Sequence, residues 1–478
     1  MSATDVLRAH DDIFVGGSFI PSASTERIPV VNPATEQVIA TVPAGGVADV
    51  DAAVDAAHAA FPSWSATSVE TRISLLRALQ DALQSNSGTI ADTIVGELGM
   101  PIDATSDVQV NDPALMLGGY ADALPALPLE ERRNRALVLR EPVGVVAVIT
   151  PWNYPLYQIV AKVGAALAAG CTVVIKPSEL APLNAYELAR AVNHAGLPPG
   201  VLNIVMGRGT PVGEALVSHP LVRMVSFTGS TLSGRRIATL AAAAPKPVTL
   251  ELGGKSATIV LDDADLDSVI PRAVADCFRN AGQTCSARTR LLVPSRYVER
   301  VALLARSAAE RVRLGAPTSP GTHLGPLISA EQREKVRAFI RTGLDEGARL
   351  LTGGPEQPAR QPRGYYVRPT VFDRVTSDMT IAQEEIFGPV LVIIAYEDDD
   401  DAIRIANDTR YGLSGAVWSA KQERAIAVAR RIDSGEVYVN GGRFNIAAPF
   451  GGTKESGYGR ELGPLGILEF TQSKAILT

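Results

Sequence analysis

What most limits the folds open to this chain is a regular alternation that begins at residue 143, where apolar β-branched runs are separated by runs of helical period. VVAVIT is followed by an Ala-rich helical stretch over about 156–169, then by TVVIK and a helical stretch through Tyr186 and Leu188. The order continues with a strand at 201–205, a helix near 212–217, a strand at 224–227, a helix over about 230–242 and a strand at 248–250. Strands that are apolar throughout, each separated from the next by a helix, need cover on both faces. A parallel sheet between two helix layers supplies it. After ELGGKS (251–256) a second alternation starts, with ATIVL, a helix ending near Asn280, RLLV, a long helix after Arg296, and strands at 390–395 and 437–440. An α/β chain with two parallel-sheet domains is predicted. The Pro-flanked, charged segment 124–140 is too short for a domain and reads as a hairpin arm, as does the C-terminal FTQSKAIL; residues 353–364 read as a surface loop.

At 478 residues the chain suits two to four domains, each with its own core. Its 45 Lys+Arg against 51 Asp+Glu, with no basic run, lack the footprint of a nucleic-acid or anionic-membrane binder. The most apolar region, 143–175, is interrupted by Pro151, Asn153, Pro155 and Lys162, so it reads as core and not as a membrane span. Three cysteines, Cys171, Cys277 and Cys285, cannot all pair, and MSATDVLRAHDD offers no basic region followed by an apolar run. A reducing, cytoplasmic setting is expected. No metal site is expected.

Six motifs carry the chemistry. In NAGQTCSA (280–287) a glycine turn presents Cys285 after a helix, a context that offers partial exposure and a lowered pKa, as a nucleophile needs. Cys171 and Cys277 fit small buried hydrophobes, and with five histidines in the chain and none near Cys285, a Cys-His protease has no support. In LELGGKS, Glu251 ends a buried strand, where partial burial raises a carboxyl toward a base's working range; alone, it is equally a capping or salt-bridged residue. GGKS imitates the end of a P-loop, but Thr249 stands where the upstream glycine belongs. GRGTPVG (Gly207, Gly209, Gly213) and FTGSTLSG (Gly229, Ser230, Gly234) lie at strand-to-helix junctions and suit phosphates or merely tight turns. In TPWNYP, Asn153 offers an amide for an oxyanion or a plain turn residue; Lys176 and Glu179 of VIKPSE suit ribose hydroxyls or a solvated pair.

In this order, TPWNYP, KPSE, FTGST, ELGGKS, GQTCSA, EEIFGP (384–389) and PFGGTKESGYGRELG (449–463) resemble the aldehyde dehydrogenase superfamily over nearly the whole chain. The resemblance implies a dinucleotide-binding domain from 1–123 and 143–252, and a catalytic domain from 253–455. An oligomerisation arm and C-terminal tail would come from 124–142 and 456–478, with a homo-oligomer, dimer or tetramer, built through the arm. It implies that Cys285 attacks the aldehyde and that Asn153 and the Cys285 N–H hold the oxyanion. A thioester would form, and Glu251 would activate the water that hydrolyses it. Lys162 falls on the helix behind the site, in a proton relay or as a packed helix-face lysine. Ile149, Trp152, Lys176, Glu179, Gly209, Gly229 and Ser230 would surround the adenosine and pyrophosphate of NAD, with Glu385 and Phe387 near the nicotinamide. A carboxylate at 179 accepts from a ribose diol and repels a 2′-phosphate, favouring NAD over NADP, although relatives with this pattern use both. Tyr154 is a candidate for the substrate pocket. Arg279 matches a substrate-carboxylate arginine of succinate-semialdehyde dehydrogenases, but their second arginine is replaced by Ala161. The expected substrate is therefore a medium aliphatic or aromatic aldehyde, with a carboxylated semialdehyde second. An acylating enzyme, for which Glu251 would be superfluous, and a non-enzymatic protein keeping the fold are the alternatives.

Overall fold

The computed structural model describes residues 8–477; the stretch MSATDVL, examined above for a leader, and Thr478 lie outside the described residues. The predicted alternation folds into two sheets. The first orders its strands Gly457–Tyr458, Val248–Glu251, Val222–Thr228, Val145–Ile149, Thr172–Lys176, Leu202–Ile204, Asp12–Val15 and Ser18–Pro21. The five strands between residues 145 and 251 pair in parallel, while the flanking short strands run antiparallel. Alternate residues of one strand feed two cores. Val146 and Val148 pack with Leu156, Ile159 and Val163 on one face, and Val145, Ala147 and Ile149 pack with Val212, Leu216 and Ile237 on the other. Each such side chain contributes about 1.5–3 kcal/mol when fully buried, so both helix layers are needed. The helix Pro155–Ala169 starts with proline in its first turn and stops at Gly170, whose φ of 94° is left-handed.

The second sheet orders Arg349–Thr352, Thr370–Asp373, Val390–Tyr396, Arg290–Pro294, Ala257–Val260, Ser414–Trp418 and Glu436–Val439, and is parallel except for its first pair. The loop expected at 353–364 joins the antiparallel pair. The arm is a hairpin, Glu130–Arg133 with Ala136–Pro142, against which Thr471–Leu477 pairs along its whole length. Residues 456–478, grouped above with the arm, divide three ways: Gly457–Tyr458 edges the first sheet, Gly463–Glu469 packs against the helix Pro155–Ala169, and only Thr471–Leu477 joins the arm. No helix among the described residues is long and apolar enough to cross a membrane.

Candidate active site

Register aligns the carboxyl ends of the parallel strands. Ile149 lies opposite both Lys176 and Phe227, and Thr228 lies opposite Glu251, so the loops that follow open into one crevice, where such sheets hold ligands. Opposite that crevice the helix Leu266–Phe278 ends abruptly. Asn280 and Ala281 take φ of 49° and 56°, and Gly282 follows at 73°; any Cβ there would sit 2.1 Å from the Gly388 carbonyl oxygen. This turn presses the Cys285 loop against the Asn153 segment. Asn280 Nδ2 donates to the Asn153 carbonyl at 2.9 Å and Asn153 Nδ2 donates to the Gln283 carbonyl at 3.0 Å. The Tyr154 hydroxyl bonds Thr284 Oγ1 at 2.7 Å, and burial pushes its pKa to about 12. One amide N–H of Asn153 remains for an oxyanion.

Cys285 is half-buried, whereas Cys171 and Cys277 are buried. Partial exposure is as expected from sequence, but the lowered pKa is not. Burial, then the charges of Glu251 and Glu385, hold the thiol well above its ordinary range, and no cation offsets them. Glu251 is buried with both carboxylate oxygens unpartnered, and burial followed by Glu461 raises its pKa well above the usual carboxyl value. Its Oε1 approaches Gly451 so closely that a Cβ there would lie at 2.6 Å. Lys162 is fully buried, donates to Thr228 Oγ1 at 2.6 Å and forms an ion pair with Glu461.

The expected cofactor residues fall along the crevice. Lys176, buried, donates to the Gly207 and Pro177 carbonyls, each at 2.8 Å, and stands 3.4 Å from the half-buried Glu179, so the two do not form a solvated pair. Gly229 and Ser230 precede the helix Thr231–Ala242, which Ser230 caps by accepting from Ser233 N, and a Cβ at Gly209 would meet open space. From the second sheet's side, Glu385 accepts from Gly254 N at 3.0 Å. The Phe387 ring meets Trp152 edge-on at 5.4 Å, closing the crevice near the end of Ile149's strand. A buried lysine, a helix start and a half-buried acid at the carboxyl ends of the parallel strands could hold a dinucleotide.

A cavity of about 690 Å³ leads from Cys285 to the surface. Tyr154 and Arg279, both named from sequence, line it, but so do aromatics that sequence reading missed: Tyr157, Trp418, Tyr438, Phe444 and Phe450. The period-two pattern of 414–418 and 436–439, with Ala416 opposite Tyr438, carried the available signal. Glu461, the partner of Lys162, gave none, being 299 residues away. Glu436 was missed too; it is largely buried with Oε1 unpartnered, and its charge bears on both Cys285 and Glu251. Among the described residues no cluster of His, Cys, Asp or Glu could hold a metal ion.

Residues 19–476 match the model of the aldehyde dehydrogenase family. Similar proteins include a 3-succinoylsemialdehyde-pyridine dehydrogenase of a Pseudomonas species, 45% identical over 98% of this chain and 99% of its own. A putative aldehyde dehydrogenase of Staphylococcus aureus is 43% identical over 98% and 99%. Among solved structures, a mutant of aldehyde dehydrogenase C from Pseudomonas syringae in complex with NAD+ and octanal superposes with a TM-score of 0.97 at 45% identity, covering 99% of this chain and 98% of that one. A Mycobacterium tuberculosis aldehyde dehydrogenase complexed with NAD+ gives 0.96 at 40% identity, with 99% of each chain covered.

Proposed function

This chain belongs to the aldehyde dehydrogenase family, and we propose that it oxidises a medium aliphatic or aromatic aldehyde to the carboxylic acid with NAD, through a thioester on Cys285. The observation that carries this reading is the convergence of Cys285, the Asn153 amide and the unpartnered Glu251 carboxylate between the crevice and an aromatic-lined cavity. Cys285 attacks the aldehyde carbon. Three carboxylates oppose thiolate formation, so the thiol proton passes to a water in the cavity as the carbon–sulfur bond forms and the carbonyl electron pair moves to oxygen. The Asn153 amide and the Cys285 N–H stabilise the oxyanion, in a geometry fixed beforehand by the bonds to Gln283 and Asn280. NAD, when bound, supplies the hydride acceptor that converts the Cys285 adduct to a thioester. Glu251 then takes the proton of a water that hydrolyses it, and burial, by raising its pKa, strengthens it as a base.

Lys176, Glu179, Gly209, Gly229, Ser230, Glu385 and Phe387, with Ile149 and Trp152, would hold the cofactor, and the Glu179 carboxylate favours NAD over NADP. NAD complexes among the structural relatives support NAD as the cofactor, and octanal in one of them supports a medium aliphatic aldehyde. The exposed strand Thr471–Leu477, which pairs with Ala136–Pro142 on one side and ends the arm's sheet on the other, supports a homo-oligomer, and three unpaired cysteines support a cytoplasmic setting. NADH formation by the purified protein across short, long, aromatic and carboxylated aldehydes tests the reading. Activity lost in Cys285→Ala supports it, and silence of the wild type across the whole panel overturns it.

A further inference from the structure

The substrate cavity carries charge that aldehyde oxidation at Cys285 does not use. Its wall holds four arginines, Arg272, Arg279, Arg288 and Arg443, against two aspartates, Asp112 and Asp276, in a chain of net charge −6. The four are not equivalent. Arg288 pairs with Asp276 at 2.8 Å and stacks on Tyr438 at 4.8 Å. Arg279 shares Asp276 at 3.7 Å and also stands in the field of Asp112, so both aspartates are answered by arginines near the nucleophile. Arg272 and Arg443 lie at the exposed mouth of the cavity and have no hydrogen-bond or ion-pair partner among the described residues. The Arg272 guanidinium lies over the Trp418 ring at 6.0 Å. The loop carrying Arg443 rests on that same pair, since a Cβ at Gly441 would lie 2.8 Å from Trp418 and 3.3 Å from Arg272 Nη1.

Position separates the two groups. Arg272 lies within the helix Leu266–Phe278 and Arg279 directly follows it, seven residues on, about 10 Å away at 1.5 Å per residue. The helix runs toward the Cys285 loop, so Arg279 is the near arginine and Arg272 the far one. Between them the cavity is walled by aromatic rings, and its 690 Å³ is in the range that encloses a ligand much larger than a short-chain aldehyde.

We propose that Arg272 and Arg443 form a distal carboxylate subsite, and that the substrate is an aldehyde bearing a carboxylate at its remote end, with an apolar or aromatic body spanning the tunnel. This rests on the aldehyde-oxidising reading of the same site and names its substrate class. Arginine presents a planar fork of donors that matches a carboxylate bidentately, and here those donors are unspent. A four-carbon semialdehyde is shorter than the roughly 10 Å of helix that separates Arg279 from Arg272. The product is a dicarboxylate, so the enzyme consumes the output of a reaction that leaves an aldehyde at one end of a carboxylated chain.

The test is a ratio of kcat/KM values from NADH formation, octanal against suberic semialdehyde, which share chain length and differ in the remote carboxylate. A ratio read on one preparation does not depend on how much of a variant folds. Wild type is expected to favour suberic semialdehyde about fivefold, the upper end of what an exposed charged pair supplies. In Arg272→Gln/Arg443→Gln the preference falls to within twofold of unity, while in Arg279→Gln it persists. Equal or better use of octanal by wild type overturns the subsite and leaves aldehyde oxidation standing. A preference that survives the double variant overturns it as well, as does succinic semialdehyde proving the better substrate and depending on Arg279. NADH from no aldehyde at all overturns the functional reading and the subsite with it.

Discussion

Glu461→Ala isolates one of the most demanding contacts in the fold. Lys162 is fully buried and has two partners, the Thr228 hydroxyl and the Glu461 carboxylate, itself 6% exposed. Removing the carboxylate leaves an ammonium in the interior hydrogen-bonded to one hydroxyl, with the Glu251 carboxyl near but not paired with it, and breaking a buried pair in this way costs about 3–5 kcal/mol. For a cooperative unit of a few hundred residues, about 2 °C of melting temperature accompanies each kcal/mol, so a loss of roughly 6–10 °C is expected. Thermal melts of wild type, Glu461→Ala and Lys162→Met/Glu461→Leu, at one protein concentration, read this out. The double variant replaces the pair by apolar groups of similar volume and should melt within about 2 °C of wild type, because desolvation of both ions disappears together with their attraction. A Glu461→Ala protein that melts like wild type would refute the reasoning. So would a double variant as unstable as the single one, which would mean that packing at the site, and not an unpaired charge, sets the loss.

Three further outcomes are expected. Glu251→Gln should give a single burst of NADH per active site and then a steady-state rate lower by about 10²–10⁴. Because burial raises the Glu251 pKa and a base must be ionised to act, wild-type turnover should climb with pH through that raised value while the variant's residual rate does not; absence of the burst would assign Glu251 to the first step instead. Glu436→Gln removes one of the negative charges that hold the Cys285 thiol neutral, so iodoacetamide should alkylate Cys285 faster at neutral pH than in wild type; an unchanged pH profile would exclude Glu436 from the thiol's surroundings. Glu179→Ser should raise the use of NADP relative to NAD about tenfold in kcat/KM, and an unaltered ratio would mean that Glu179 does not face the ribose.

Both parallel sheets were legible because their strands are apolar on both faces. TVVIK and ATIVL have no other stable setting, and Thr172–Lys176 and Ala257–Val260 are buried at every position. The strands that extend or bridge those sheets were not legible. Asp12–Val15 and Ser18–Pro21 are four residues each, so neither length nor pattern marks them. The nucleophile, the amide and the carboxylate were readable because each sits in a distinctive local context. The elevated thiol pKa was not, because it arises from Glu251, Glu385 and Glu436, which come together only in space. The cavity's composition was hidden for the same reason: Tyr157, Trp418 and Phe450 belong to three separate segments, none of which is unusual alone.

The pairing of Lys162 with Glu461 also sets a timetable. At synthesis rates of about 5–20 residues per second, the 299 residues between them take roughly 15–60 s to emerge from the ribosome. For that interval the helix Pro155–Ala169 carries a cation whose counter-ion has not yet been made, and the arm hairpin lacks the strand Thr471–Leu477 that pairs with it along its full length. The first sheet can therefore gather its strands early but cannot seal its interior. Its last step belongs to the stretch from Glu461 to Leu477, and a ribosome that stalls just short of it leaves behind a chain with an open, charged core.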